Sequence, residues 1–508
     1  MALYDYTLYD LINRNAVSFK NLAAWLEADD QRKMTFAEIK TAVDKLAAGL
    51  QKAGVQKGDR LAVLGKNSLE YFLLFGAAGA IGAIILPINW RLSEEEVMFI
   101  LNDGTPQILF VDSEYHSMIN SLKKRLVSVK EYYSLGTPGG EFKDFDSLLD
   151  TAGVVQPIDV TDQDCLAMLQ TAAVEGRPRG ALLTHRNFIC ASVHFNLLMH
   201  ILPDDVHLNL MPLFHVGGLF MALMSFHAGA LNVNMRKFDA GQAVELIARQ
   251  KVTTLLDFSP ILSAILEEQE KSGSDLSSLQ HVLGLDAPET IEKYQKLTGG
   301  TFYSIYGQTE TSSIVTLGRY NDRPGSAGRT IALADVRLVD DNDRSVPAGE
   351  VGEIAVKGPM VFSGYWNLPE ETAYSLRGGW HHTGDLGRFD EDGFLFYAGR
   401  KPEKELIKPG GENVYPAEVE NAILEHPDVE MAVVIGVPDP KWKEGIKAIC
   451  KLKAGKKLSG RELIAFVGNR IARHKKPQYV EFVEDMPLLD DGTPDRKTVK
   501  ERFGGEQS

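Results

Sequence analysis

Cysteine is scarce in this chain. Cys165, Cys190 and Cys450 are the only three in 508 residues, and they stand far apart with no metal-ligand spacing. A disulfide framework is thereby excluded, and a reducing, cytoplasmic setting is expected. Positive charge is also lacking: 54 Lys+Arg against 69 Asp+Glu leave a formal net charge of −15. That balance argues against a nucleic-acid binder and against a polybasic membrane anchor. The opening Met1-Ala-Leu-Tyr-Asp has neither a basic n-region nor an apolar h-region, so no secretory signal is expected. Long apolar runs are missing too. Tyr71 to Ile88 is uncharged over 18 residues, the lower limit for a membrane span. Yet Gly76, Gly79, Gly82 and Pro87 break it into a small-residue helix followed by a short strand, so a buried pair of α/β elements is expected and no membrane span. There is no internal repeat and no low-complexity tract.

What is present is the composition of a soluble globular protein, 44% hydrophobic and 24% charged, in a chain too long for one ordinary core. Short apolar runs alternate with helical patterns: Arg60 to Leu64, then 69–82, Ala83 to Pro87, Glu94 to Leu101, and Gln107 to Val111. The rhythm returns from Val206 to Val315 and predicts α/β architecture, parallel-rich sheets with flanking helices. After Pro324 short strands separated by Gly/Asp turns predict a small β-rich subdomain over about 324–399. From Glu418 a helix, two strands (Glu430 to Val437, Lys447 to Lys453) and a helix (Ser459 to Ile471) predict a compact α+β end domain. The expected division is therefore 1–399 and 400–508. Charge supports it: from Arg400 onward 20 Lys+Arg face 19 Asp+Glu, so the last fifth is nearly neutral. Within it, Lys441 to Lys476 holds 12 basic residues against Glu444 and Glu462 alone. That run is either a solvated face or a landing strip for a polyanionic small molecule.

Five segments carry chemistry. Thr171-Ala-Ala-Val-Glu-Gly-Arg-Pro-Arg-Gly180 follows an apolar strand and has the Gly, Pro and basic residues of a loop whose amides wrap a polyphosphate. Met211-Pro-Leu-Phe-His-Val-Gly-Gly218 sets a histidine among apolar residues, as either a core histidine or a pocket residue. Tyr306-Gly-Gln-Thr-Glu310 ends a strand with an aromatic that can stack on a base, a hydroxyl for phosphate and a carboxylate for Mg²⁺. Thr383-Gly-Asp385 is either an Asx turn or a carboxylate accepting from ribose hydroxyls. The fifth is Gly399-Arg400, followed by Gly410-Gly-Glu-Asn-Val-Tyr-Pro416.

In this order and spacing the series resembles the adenylate-forming superfamily of acyl-CoA synthetases, luciferases and peptide-synthetase adenylation domains. The likeness runs nearly end to end, with Thr35-Phe-Ala-Glu38, Gly58-Asp-Arg60, Pro87-Ile-Asn-Trp-Arg-Leu92 and Gly325-Ser-Ala-Gly328 also matching. Arg400 through Pro416 is most similar to AMP-forming carboxylate–CoA ligases of the long-chain-acyl and feruloyl type. The resemblance implies a ligase that uses ATP, Mg²⁺ and CoA on a small carboxylic acid with an apolar acyl or aryl chain, and it is compatible with a homodimer. It implies that Thr171, Gly176 and Arg179 cover the β- and γ-phosphates. Tyr306 would lie against adenine beside Gly307 and Gln308, Thr309 on the α-phosphate, and Glu310 on Mg²⁺. Asp385 would hold the ribose hydroxyls with Arg400 nearby. Gly284 to Pro288, with Asp286 and Ala287, would pass between adenine and acyl group. Phe214, His215, Gly217 and Gly218 would line the acyl pocket, the glycine pair leaving room. Lys404 and Glu405 would be the hinge of a mobile C-terminal domain. Gly410 and Gly411 would edge the pantetheine tunnel, and Lys441, Arg473 and Lys475 would meet the CoA phosphates.

The sequence departs from the pattern in three places. Ala172, Ala173, Val174 and Glu175 replace most phosphate-loop hydroxyls, and Arg179 stands for a lysine. Two extra residues separate Arg400 from the hinge, where Glu405 replaces Asp. In Gly492-Thr-Pro-Asp-Arg-Lys497, Thr493 occupies the place of the lysine that orients the carboxylate for adenylation. Lys497 is the first candidate to replace it, ahead of Lys500 and Arg496. Two further readings follow: an adenylating enzyme that loads a separate carrier protein, and a catalytically weakened nucleotide- or acyl-binding protein.

Overall fold

The computed structural model describes residues 5–150, 153–171, 178–401, 406–409, 414–440, 442–489 and 493–505. The chain divides into two compact units, 1–90 with 101–170 and 180–399, and 91–100 with 171–179 and 400–508.

The large unit is built on two mixed, parallel-rich sheets. The eight-stranded one has Arg60–Leu64 near its centre, flanked in parallel by Ile84–Ile88 and Ile108–Val111. The nine-stranded one runs in parallel from Thr301–Tyr306 through His281–Leu285, Thr254–Phe258, Val206–Asn209 and Leu231–Asn234 to Ala23–Glu27, with antiparallel strands only at its ends. The helices Leu69–Ile81 and Val216–Ala228 join both sheets in one core. Apart from Glu70, every residue of the first helix is buried, as expected of a helix apolar on all sides. Ser68 starts it, its hydroxyl accepting from the Tyr71 amide, and Gly82 ends it in the left-handed conformation (φ 69°). The Tyr71 to Ile88 run is thus a helix and the strand Ile84–Ile88. Among the described residues no helix is long and apolar enough to cross a membrane. A four-stranded sheet, Asp335–Val339, Gly352–Lys357, His381–Phe389 and Leu395–Arg400, forms the β-rich part.

The small unit carries the antiparallel pair Val429–Asp439 and Lys443–Leu452, with Tyr479–Phe482 parallel to the second strand. Helices Pro416–Leu424 and Gly460–Gly468 pack on it around Val419, Ile423, Val434, Ile446 and Leu463. The segment 91–100, which sequence order assigns to the first domain, groups with this unit. Glu96 accepts from the Ala472 amide at 3.1 Å and from Lys475 Nζ at 2.6 Å.

Candidate active site

Parallel strands leave their functional loops at their carboxyl ends, and Thr171, His215 and Tyr306 fall there, while Asp385 and Arg400 lie on strands of the four-stranded sheet. The strand Thr301–Tyr306 delivers Tyr306, then a short 3₁₀ turn, Thr309–Thr311, presents Glu310. The chain must double back at once: Ser312 and Ser313 take positive φ (54° and 74°). A Cβ on Gly307 would stand 2.3 Å from the Ser313 carbonyl oxygen, so only glycine admits this turn.

The first convergence is between Tyr306 and Asp385. Tyr306 Oη donates to Asp385 Oδ2 at 2.9 Å across 79 residues of sequence. Gln308 Nε2 donates to the same oxygen and to the Thr383 carbonyl at 3.0 Å. Asp385 is 2% exposed, and the irregular stretch of the strand His381–Phe389 that carries it is fixed by three bonds. The Thr383 hydroxyl donates to the Ile354 carbonyl (2.7 Å), the Asp385 amide donates to that hydroxyl (3.1 Å), and the Gly384 amide donates to Glu353 Oε1 (2.8 Å). Such a buried carboxylate, gripped by neutral donors, is an acceptor held in place.

Glu310 is buried and receives the Tyr365 hydroxyl at 2.8 Å on Oε1. An ionised carboxylate has about four lone-pair sites, so one hydroxyl leaves capacity for a cation. Among the described residues no cluster of three or more His, Cys, Asp or Glu forms a metal cage. This donor set fits a Mg²⁺ that takes most of its ligands from phosphate and water.

His215 caps the helix Val216–Ala228, its Nδ1 accepting from the Gly217 amide at 3.2 Å. An accepting Nδ1 places the proton on Nε2 of the neutral ring. Gly217 and Gly218 do not leave room, in contrast to the expectation. A Cβ on Gly217 would meet Leu256 Cδ2 at 2.7 Å, and one on Gly218 the Pro212 and Met211 carbonyl oxygens at 2.4 and 2.8 Å. The pair lets a side chain and a backbone turn close in on the helix. Gly284 is similar: at φ 152° its Cβ would lie 1.7 Å from the Asp257 carbonyl oxygen. Asp286 Oδ1 accepts from the Ala287 amide at 2.7 Å as the next helix, Pro288–Thr298, begins.

In the small unit the basic stretch is largely engaged. Lys475 is buried, with Nζ 2.6 Å from Glu96 and 2.8 Å from Glu418. Burial alone would lower its pKa, but the two carboxylates outweigh that and hold it above the ordinary lysine range. This corrects the assignment of Lys475 to CoA phosphate: its ammonium is enclosed by carboxylates. Arg473 is exposed. Arg496 Nη2 donates to both carboxylate oxygens of Glu420 at 2.7 and 2.8 Å, and its Nη1 donates to the Val434 carbonyl, which removes it from the candidates for the missing lysine. Lys497 is exposed on the helix Arg496–Phe503. Thr171 ends its strand with its hydroxyl 3.4 Å from the Arg179 carbonyl. Arg400 ends the strand Leu395–Arg400. Gly176, Lys404, Glu405, Gly410, Gly411 and Lys441 lie outside the described residues.

Sequence reasoning misses Tyr365 and Glu353, single residues whose roles exist only through partners 55 and 31 positions away.

Residues 12–366 match the AMP-binding enzyme family, and residues 418–492 match the AMP-binding enzyme C-terminal domain. A feruloyl-CoA synthase of Amycolatopsis sp is 36% identical over 93% of this chain and 94% of that one. A fatty acid–[acyl-carrier-protein] ligase of Streptomyces coeruleorubidus is 34% identical, covering 94% and 93%. The solved o-succinylbenzoate CoA synthetase of Bacillus subtilis, a double mutant bound with its product analogue, superposes with a TM-score of 0.86 at 28% identity over 98% of each chain. The chain belongs to the AMP-binding enzyme family, the adenylate-forming enzymes, and is an ATP-dependent acid–thiol ligase.

Proposed function

We propose how this chain's residues divide the work of ATP-dependent carboxylate–CoA ligation, and that the acid is apolar, with an acyl or aryl chain. A carboxylate is a poor acyl donor because its leaving group would be oxide. In the first half-reaction a carboxylate oxygen attacks the α-phosphorus of ATP and pyrophosphate departs, leaving an acyl-adenylate. In the second, the CoA thiolate attacks the carbonyl and AMP departs with the electron pair.

Tyr306 lies against adenine, Asp385 accepts from the ribose hydroxyls, and Thr309 donates to the α-phosphate. Thr171 and Arg179 stand at the β- and γ-phosphates. Glu310 holds Mg²⁺, which supplies charge neutralisation on the phosphates when bound. His215 presents Nε2–H, a neutral donor, beside Phe214 on the acyl side. Lys497 takes the part of the lysine replaced by Thr493, and Arg473 meets CoA phosphate. The bond from Tyr306 to Asp385 carries the reading, because it joins the base-facing motif to the ribose-facing motif through one buried carboxylate.

The test supplies ATP, Mg²⁺ and CoA with a panel of medium-chain, aryl and cyclic acids, reading AMP release and thioester as kcat/KM. CoA-dependent AMP formation with an apolar acid is the expected result. Likeness to a carrier-protein ligase favours one second reading: acyl transfer only to an added carrier protein, with none to CoA, would replace the CoA assignment. Tight nucleotide binding with no pyrophosphate release on any acid would overturn the enzyme reading.

A further inference from the structure

We infer that Asn67 is a positioning residue for the acyl side of the reaction, a clamp that sets the loop carrying Phe214 and His215. The inference rests on the reading of residues 211–218 as acyl-pocket lining.

Asn67 follows the strand Arg60–Leu64 of the eight-stranded sheet. The loop it grips follows the strand Val206–Asn209 of the nine-stranded sheet. Asn67 Nδ2 donates to the Met211 carbonyl at 2.8 Å, and its Oδ1 accepts from the Leu213 amide at 2.8 Å. The side chain is 3% exposed. Its amide does what a residue on a parallel neighbouring strand would do, bonding the carbonyl before and the amide after one residue. That bridged residue is Pro212, which has no N–H of its own to satisfy.

Gly218 packs against the same Met211 carbonyl, where a Cβ would stand 2.8 Å away. The His215 amide donates to the Pro212 carbonyl at 3.0 Å, and His215 then caps its helix. The path from clamp to site is therefore short: Asn67 fixes 211 to 213, Pro212 receives the His215 amide, and His215 fixes the first helical turn. Asn67 thus ties the segment after a strand of one sheet to the segment after a strand of the other. Only an amide fits. Aspartate has the same shape but offers an acceptor to the Met211 carbonyl, and alanine leaves a buried N–H and C=O without partners.

The experiment compares Asn67→Asp, Asn67→Ala and Phe214→Ala with the wild type on the two best acids of the panel, with melting temperature measured alongside. Asn67→Ala should lower kcat/KM for acid by about tenfold or more and shift the ratio between the two acids by at least about threefold, with KM for ATP within about twofold. Asn67→Asp should fall between, and it decides the matter if the alanine variant does not fold. Loss of general stability would not move the ratio between acids while leaving KM for ATP alone. If Phe214→Ala changes the ratio and folded Asn67 variants keep wild-type ratio and KM, the clamp is overturned and the pocket reading stands. If none of the three changes the ratio, the loop does not line the acyl site and the inference falls with that reading.

Discussion

The large and small units use polar side chains in opposite ways. In the large unit, residues from separate motifs meet: Tyr306 and Gln308 both donate to Asp385, and Tyr365 donates to Glu310. In the small unit, charges that look available in the sequence are engaged with their own neighbours. Lys475 faces Glu96 and Glu418, Lys447 faces Glu481, Lys451 faces Glu430, and Arg496 faces Glu420. A run of basic residues is thus a poor guide to a ligand site, because composition does not reveal which cation already has a carboxylate. An ordered series of motifs is a better guide.

The most disruptive change belongs to the large unit. Glu310→Gln should reduce acid-dependent pyrophosphate exchange by about 10³, with folding intact by circular dichroism. An exchange rate near wild type would detach Glu310 from the chemistry. Next comes a pair of substitutions in the small unit that separates an available cation from an engaged one. Lys497→Ala should slow adenylation by about 10², equivalent to about 3 kcal/mol, and spare thioester formation from pre-made acyl-adenylate. Undiminished pyrophosphate release would remove Lys497 from the mechanism. Arg496→Ala should instead act on stability, by about 1–2 kcal/mol once solvent screening of this partly exposed pair is allowed for, read as a lower denaturant midpoint.

The last effect concerns pH and is of the same order as that of Arg496→Ala. Burial raises the Glu27 pKa from 4.5 to about 6, against the opposing hydrogen bonds from Asn234 and Trp25. A carboxyl raised in the folded state binds more protons there than in the unfolded chain, so stability falls as pH rises through the window from 4.5 to about 6. The loss is about 2 kcal/mol, and Glu27→Gln should flatten that slope in urea titrations at pH 4.5 and 7. An unchanged slope would show that Glu27 ionises normally.

Much of the architecture is legible in the sequence for physical reasons. Gly82 marks where an apolar run changes from the helix Leu69–Ile81 to the strand Ile84–Ile88. Tyr306 and Asp385 are legible because each motif sets a polar group beside a glycine, Tyr306 at the end of its strand and Asp385 after the positive-φ Gly384 within the strand His381–Phe389. Asn67 and Tyr365 are not, since periodicity says nothing about a partner 144 or 55 residues away. Lys475 is legible as a charge and hidden as a buried one, because its burial depends on Glu96, 379 positions earlier. Gly217 and Gly218 are legible as small, while what fills the space beside them, Leu256 and the carbonyls of Met211 and Pro212, follows only from the fold.

The central claim is that Asp385 holds the ribose in a cleft shared with Tyr306. A ligand–residue cycle tests it most directly, using calorimetric binding of a non-hydrolysable acyl-adenylate analogue and its 2′,3′-dideoxy counterpart to wild type and to Asp385→Ala. Wild type should lose about 10- to 100-fold in affinity when the hydroxyls are removed, and Asp385→Ala should lose almost nothing further. An equal penalty in both proteins would mean that the ribose is held elsewhere.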